Sequence, residues 1–179
     1  NHKLAKDVDL AQVVDTLIVP ATLCQEVLAQ YPTLQSVQVK KVDLKHVAHI
    51  VGKNPYIEHA EVTVNVRGQV VINALQRTPI VHVYMPGRDF YVDRKGYLMP
   101  PSADGEASVL VGNGVLNDKI RFNDSTLINL QVLSEMKRHS KMHLVQMYQL
   151  ACYLYDNPVF GKLFDQVYVA ENGDLQLVP

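Results

Sequence analysis

Between residues 62 and 76 the chain alternates apolar and polar residues with a period of two. Val62, Val64 and Val66 are separated by Thr63 and Asn65, and Val70, Val71, Ile72 and Leu75 follow in Gln69–Gln76. Between the two runs stands Arg67-Gly68. Period-two patterning puts successive side chains on opposite faces, so this stretch must form strands. Glycine tolerates the positive φ that a tight turn needs, so the two runs are expected to form a β-hairpin around a two-residue turn. A chain holding such a hairpin must build a sheet around it, and the rest of the sequence has to supply its partners.

The upstream residues predict a strand and two helices. Val13–Val19 is β-branched and stops at Pro20, which reads as a strand. A helix is expected over 21–30, stopped at Tyr31-Pro32, and 34–42 is ambiguous between a loop and a short strand. Asp43 suits an N-cap, with Leu44, Val47, Ala48 and Val51 at helical spacing and Gly52 as the C-cap. The order is strand, helix, helix, strand, strand.

Downstream, Ile80–Met85 predicts a strand and Pro86-Gly87 a turn. Phe90-Tyr91-Val92 and Tyr97-Leu98-Met99 flank Asp93-Arg94-Lys95-Gly96 as a second hairpin, followed by a loop from Pro100. Ser108–Val111 predicts a short strand and Gly112-Asn113-Gly114 a flexible turn. One helix is expected from Asp124 or Ser125 to about His139. A second, from Ser140 to Asp156, carries Leu144, Met147, Tyr148, Ala151, Leu154 and Tyr155 on one face. Asn157-Pro158 ends it. Strands at Gln166–Ala170 and Leu175–Val178, joined through Glu171-Asn172-Gly173-Asp174, close the sequence. The predicted class is α+β: a β-α-α-β-β domain over 1–79, then a mixed β domain with two helices over 80–179. They join near Arg77–Met85 without a Gly/Ser linker.

Composition limits function. The 179 residues are 47% hydrophobic and 20% charged, with 17 Lys and Arg against 18 Asp and Glu. That balance is typical of globular proteins and lacks the basic excess that a nucleic-acid-binding surface needs, so no nucleic-acid partner is expected. No run of about 18 apolar residues is present, so no membrane span is expected within the chain, and no signal peptide is recognisable. The chain opens at Asn1 rather than Met, which suggests a processed or shortened form.

Catalytic and metal motifs do not emerge. His46 and His49 are three apart and His139 and His143 four apart, yet two imidazoles are short of the three or four ligands zinc takes. No Gly-x-Ser-x-Gly and no phosphate-cradling loop occurs, and Gly112-Asn113-Gly114 lacks the Lys-Ser/Thr that would complete one. Asp165, Glu171 and Asp174 gather at a hairpin, where carboxylates ordinarily face water. No catalytic residue, cofactor or metal is assigned. Cys24 and Cys152 are expected to be reduced and buried in separate domains, with a disulfide between the halves as the minor alternative.

Three further segments carry a resemblance: Asn54-Pro55-Tyr56-Ile57 before the first hairpin, Gln76-Arg77-Thr78-Pro79-Ile80 after it, and Phe90 through Pro100. In this order, and with the late strands Gln166–Val169 and Leu175–Pro179, the chain resembles the extracytoplasmic part of FtsQ/DivIB cell-division proteins, in a Bacteroidetes-type form, over residues 10–179. The first half resembles a POTRA module. Physical roles for the same residues need no family: Pro55 forces Asn54 out of the α region, Pro79 suits a strand start, and Gly96 supplies turn geometry.

The resemblance implies a non-enzymatic divisome scaffold acting in septum formation on the periplasmic side of the bacterial inner membrane. It implies an anchor by one N-terminal helix absent from this chain, and partners of the FtsB/DivIC and FtsL type. It also implies that the C-terminus stops early, where such β domains usually continue with further strands. The competing reading is a POTRA-type assembly or chaperone module for other envelope proteins. An exposed final strand would offer a template for an incoming strand, so Tyr168, Leu175, Gln176, Leu177 and Val178 are the candidate partner-binding residues.

Overall fold

In the computed structural model of the protein, residues 8–11, 16–35, 42–118 and 128–179 are described. They form an α+β fold with two mixed sheets and two compact units. The first unit is Asn1–Arg77 together with Ser102–Glu106; the second is Thr78–Pro101 with Ala107–Pro179.

The first unit runs β1 (Val8–Ala11), α1 (Pro20–Gln30), a 3-10 turn (Pro32–Gln35), α2 (Leu44–Gly52), β2 (Ile57–Val64) and β3 (Val70–Gln76). Its sheet has the order β1-β3-β2, with β1 parallel to β3 and β2 antiparallel to it. Of the strand expected over 13–19, the described residues 16–19 are not in a strand. Residues 12–15 lie outside the described residues, and 16–19 form an irregular approach to α1. Leu17 and Ile18 are buried, which explains their apolar character. Their N–H groups donate to Gln76 Oε1 at 2.9 and 3.1 Å, so a side chain supplies what a neighbouring strand would have supplied. Pro20 begins the helix instead of merely following a strand, since its missing N–H costs nothing at a first helical position. Val19 cannot cap α1 with its side chain, and its own N–H donates to Asp104 in the 102–106 segment.

Asp43 caps α2 by accepting from the N–H groups of Lys45 and His46. Gly52 is the last helical residue rather than the C-cap, which falls to Lys53 in an ordinary right-handed conformation. Asn54 then organises the entry to β2. Its Oδ1 accepts the Tyr56 N–H and its Nδ2 donates to Glu26, fastening the turn to α1.

The β2–β3 connection is a three-residue loop, one longer than expected. Asn65 and Gln69 close it, the Gly68 N–H bonds back to the Asn65 carbonyl, and Gly68 has φ +74°. The Asn65 side chain accepts from Arg67 and Gln69, an arrangement a two-residue turn would not allow. The same loop recurs twice in the second unit, at Asp93–Tyr97 with Gly96 at φ +86° and at Ala170–Asp174 with Gly173 at φ +86°. In all three, a turn is followed by glycine in the left-handed region.

The second unit contains β4 (Pro79–Met85), β5 (Arg88–Asp93), β6 (Leu98–Met99), β7 (Leu110–Gly114), α3 (Leu130–Glu135), α4 (His143–Asp156), α5 (Pro158–Gly161), β8 (Gln166–Val169) and β9 (Leu175–Val178). The sheet order is β6-β5-β4-β7-β8-β9, with β7 parallel to both its neighbours. Val81, Val83, Phe90, Val92, Val167 and Val169 form a core with Leu144, Met147, Tyr148 and Ala151 of α4.

Four expectations are corrected in this unit. Gly112-Asn113-Gly114 is not a turn but the body of an interior strand. A Cβ on Gly112 would run into Met147 Sδ, and one on Gly114 into the Val169 backbone, so these glycines exist to let α4 and β8 approach β7. Of the helix expected from Asp124 or Ser125 to His139, the described residues are helical over Leu130–Glu135. Residues 119–127 lie outside the described residues, Asn129 is the N-cap, and 136–141 form turns. Likewise α4 begins at His143 rather than Ser140, and Tyr155 is exposed rather than on its buried face. Lacking a capping side chain of its own, α4 has its first N–H groups accepted by Asp118.

Candidate functional site

Strand β9 forms one edge of the six-stranded sheet. Its register on β8 pairs Gln166 with Val178, Val167 with Leu177, Tyr168 with Gln176 and Val169 with Leu175. Because Val167 and Val169 are in the core, their partners Leu177 and Leu175 pack inward against it as well. Tyr168, Gln176 and Val178 take the opposite face and are exposed. The five candidate residues therefore divide, two inward and three outward.

The backbone divides the other way. The Ala170 N–H bonds to the Asp174 carbonyl. Hydrogen-bonded and non-bonded pairs alternate along an antiparallel ladder, so the groups of Gln176 and Val178 face β8. The N–H and C=O groups of Leu175 and Leu177 then point away from the sheet. Among the described residues no strand pairs with this side of β9, and the edge consists of the backbone of two inward-packed leucines, with exposed side chains between them.

A feature the sequence reading missed lies next to this edge. Val159, Phe160 and Leu163 are exposed, on α5 and the turn after it. Two residues beyond Leu163, the Asp165 N–H donates to the Val178 carbonyl at 3.0 Å, so the chain passes from the apolar segment directly to the end of β9. The sequence signal was present. Pro158-Val159-Phe160-Gly161 places two large apolar residues after a helix break, without periodic partners to bury them.

The opposite side of the unit is held by a polar clamp. Asp93, almost fully buried, accepts the Tyr97 N–H at 2.8 Å inside the β5–β6 hairpin. Arg94 makes a two-pronged contact with Asp156 of α4, Nε to Oδ1 at 3.0 Å and Nη2 to Oδ2 at 2.6 Å. The Tyr148 hydroxyl donates to the Arg94 carbonyl at 3.0 Å, and Cys152 Sγ lies 3.6 Å from Arg94 Nη1. The hydrogen bond from Arg94 holds the Asp156 carboxyl below its ordinary range and pushes the guanidinium up. Burial pushes the Cys152 thiol and the Tyr148 phenol up. A thiol raised by burial is a poor nucleophile, and the contacts of Arg94 join the β5–β6 hairpin to α4. Both cysteines are half-buried, less enclosed than expected; Cys152 sits where α4 meets the open Arg94 side chain.

These shifts predict a stability plateau with two shoulders. Asp156, depressed on folding, contributes stability that is present above the unfolded carboxyl pKa of about 3.9 and lost as pH falls through its native value. Cys152, raised on folding, contributes stability that is complete below about 8.5 and lost as pH rises through its native value. Urea midpoints measured against pH should fall on both sides, with Cys152→Ser reducing the loss above about pH 8.5. An unaltered alkaline limb in that variant would refute the assignment.

Among the described residues no group of three His, Cys, Asp or Glu side chains is placed to hold a metal ion. His46 and His49 are exposed on α2, while His139 falls in the turns before α4 and His143 opens the helix itself. No described helix is long and apolar enough to cross a membrane.

No curated protein gives a match to the chain. A family model described as FtsQ/DivIB, C-terminal related, matches residues 78–179, a span that opens where the second unit opens and includes the edge strand. That span is more than half of the sequence, and the chain belongs to the FtsQ/DivIB C-terminal-related family.

Proposed function

We propose that the protein is a non-enzymatic scaffold of the bacterial division machinery that captures a partner by strand addition on β9. The observation that carries this reading is the edge itself. The outward N–H and C=O groups of Leu175 and Leu177 form a template, Tyr168, Gln176 and Val178 offer side-chain contacts, and Val159, Phe160 and Leu163 extend the surface. Main-chain pairing supplies affinity in such a complex and the flanking side chains supply selectivity. Family membership supports a role in cell division.

The partners are extracytoplasmic segments of the FtsB/DivIC and FtsL type, met on the periplasmic side of the inner membrane. The anchor is an N-terminal helix outside this chain. Residues 1–79 serve as a POTRA-like domain and 80–179 as the partner-binding β domain. The order β1, α1, α2, β2, β3 in the first unit also favours a second reading, a POTRA-type envelope-assembly module. In that case binding would map to the first unit's three-stranded sheet.

The test is calorimetric titration of a DivIC-type extracytoplasmic segment into wild-type protein and a Gln176→Lys/Val178→Lys double variant. Lysines on an exposed edge oppose strand pairing while leaving the inward leucines in place. We expect binding to weaken at least tenfold with an unchanged circular dichroism spectrum. Equal affinity in the folded variant would remove β9 as the site. Replacing Leu177 would be a poor test, because it packs against the core.

A further inference from the structure

Helix α4 packs on one face of the six-stranded sheet, and the other face bears a row of side chains with a distinct chemistry. Val83 pairs with Gly112 and Gly112 with Val167, so Tyr84, Asn113 and Tyr168 stand side by side across β4, β7 and β8, and Gln176 follows on β9. Tyr84 is 45% exposed and Tyr168 36%. Two strand spacings separate them, about 9.6 Å. From Tyr84 to Gln176 the row alternates aromatic and amide, and Asp89, in register with Tyr84 on β5, adds a carboxylate at its far end.

Each ring is held in a defined setting. On this face buried Tyr91 stacks on His82 with ring centroids 4.0 Å apart, and His82 lies against Tyr84 at 4.4 Å, so three adjoining rings run from a buried position to an exposed one. The pairing of His82 Nε2 with Asp89 at 2.8 Å leaves Nδ1 as the acceptor for the Tyr84 hydroxyl at 3.2 Å. One face of the Tyr84 ring is thereby occupied and the ring is locked before any ligand arrives. Between the tyrosines, Gln166 Nε2 donates to Asn113 Oδ1 at 2.7 Å, which leaves the Asn113 amide N–H groups and the Gln166 carbonyl for a ligand.

We infer that this face binds a β-1,4-linked pyranose glycan strand laid across Tyr84 and Tyr168. In such a chain alternate sugars present the same face, and the repeat of two sugars is close to the separation of the two rings. The C–H face of a pyranose stacks on a tyrosine ring, while its hydroxyl or acetamido groups meet side-chain amides such as those of Asn113, Gln166 and Gln176. A rigid ring with two torsions gives contact area at low entropic cost. The carboxylate of the row, Asp89, is engaged by His82, and the stretch from Tyr84 through Asn113 to Tyr168 presents only rings and amides, which suits a neutral polymer; with no Trp in the chain tyrosine is the natural stacking residue. The inference stands on this face alone and does not depend on strand addition at β9.

The experiment is titration of the full chain with chitohexaose and, separately, cellohexaose, followed by calorimetry and amide chemical-shift mapping. The two probes share the linkage and differ in the acetamido group, so preference between them reports whether that group is read. Saturable binding of either, mapping to β4, β7 and β8, is expected. Tyr84→Ala and Tyr168→Ala should each weaken it at least tenfold, and Tyr168→Phe, which keeps the ring, should stay within about threefold of wild type. No shift with either glycan overturns the proposal, as do shifts mapping elsewhere or undiminished binding by folded alanine variants. Mapping on wild-type protein decides the matter even if an alanine variant fails to fold.

Discussion

Replacing Gly114 by alanine is expected to destabilise the second unit by about 2–5 kcal/mol, the sum of backbone strain and overpacking. Gly114 has φ +107°, where a side chain is strained in any surroundings. The space is also taken: a Cβ would stand 2.6 Å from the Val169 nitrogen and closer still to its carbonyl oxygen. Those are backbone atoms of a paired strand, and the Val115 N–H donates to that same carbonyl at 2.9 Å. Neither side can yield without opening the β7–β8 ladder that supports the β9 edge. Urea denaturation should show a lower midpoint, and hydrogen exchange should accelerate in β7, β8 and β9. Gly87→Ala is the control for strain alone, since it has φ +80° and nothing within 4 Å of a Cβ. Equal losses in the two variants would show that close packing at Gly114 contributes nothing.

Gly114 also marks where sequence reading reached its limit. Local patterns located β3, β4, β5, α1, α2 and the terminal hairpin, because each is bounded by its own turn chemistry or cap. Gly68, Gly87, Gly96 and Gly173 all occupy turns at positive φ, as local reasoning would have them. Nothing local distinguishes Gly112-Asn113-Gly114 from these. Its identity as a strand depends on Met147 and Val169, which lie 33 to 57 positions away in sequence. The apolar run before Pro20 was misread for the same reason: β-branched residues with a buried environment suggest a ladder, whereas the actual acceptor is one distant side chain. At the candidate site, a final strand was legible, and so was the division of its side chains, which follows from period two once a core face is known. Which face that is depends on α4, and the cross-strand row of Tyr84, Asn113 and Tyr168 depends on a parallel pairing that no adjacent segment encodes.

The Gln76 side chain holds the first unit together at the point where local patterning failed, and Gln76→Leu is expected to cost about 2–5 kcal/mol through two buried N–H groups left without an acceptor. Gln76 ends β3 with 1% of its surface exposed, and its Oε1 takes the N–H groups of both Leu17 and Ile18, themselves buried. Leucine fills nearly the same volume and removes the acceptor, so the loss reports hydrogen bonding rather than a cavity. The segment before α1 would then exchange its buried amides faster with solvent. Gln76→Glu retains an acceptor oxygen but places a carboxylate in a dry site, and should fall between wild type and the leucine variant. Leu75→Ala, at an exposed position one residue earlier, should cost far less. The comparison is made by urea denaturation, with hydrogen exchange at Leu17 and Ile18 as the local readout. Wild-type stability and protection in Gln76→Leu would mean that these two N–H groups find another acceptor, and that burial of the Leu17 and Ile18 side chains suffices to hold the approach to α1.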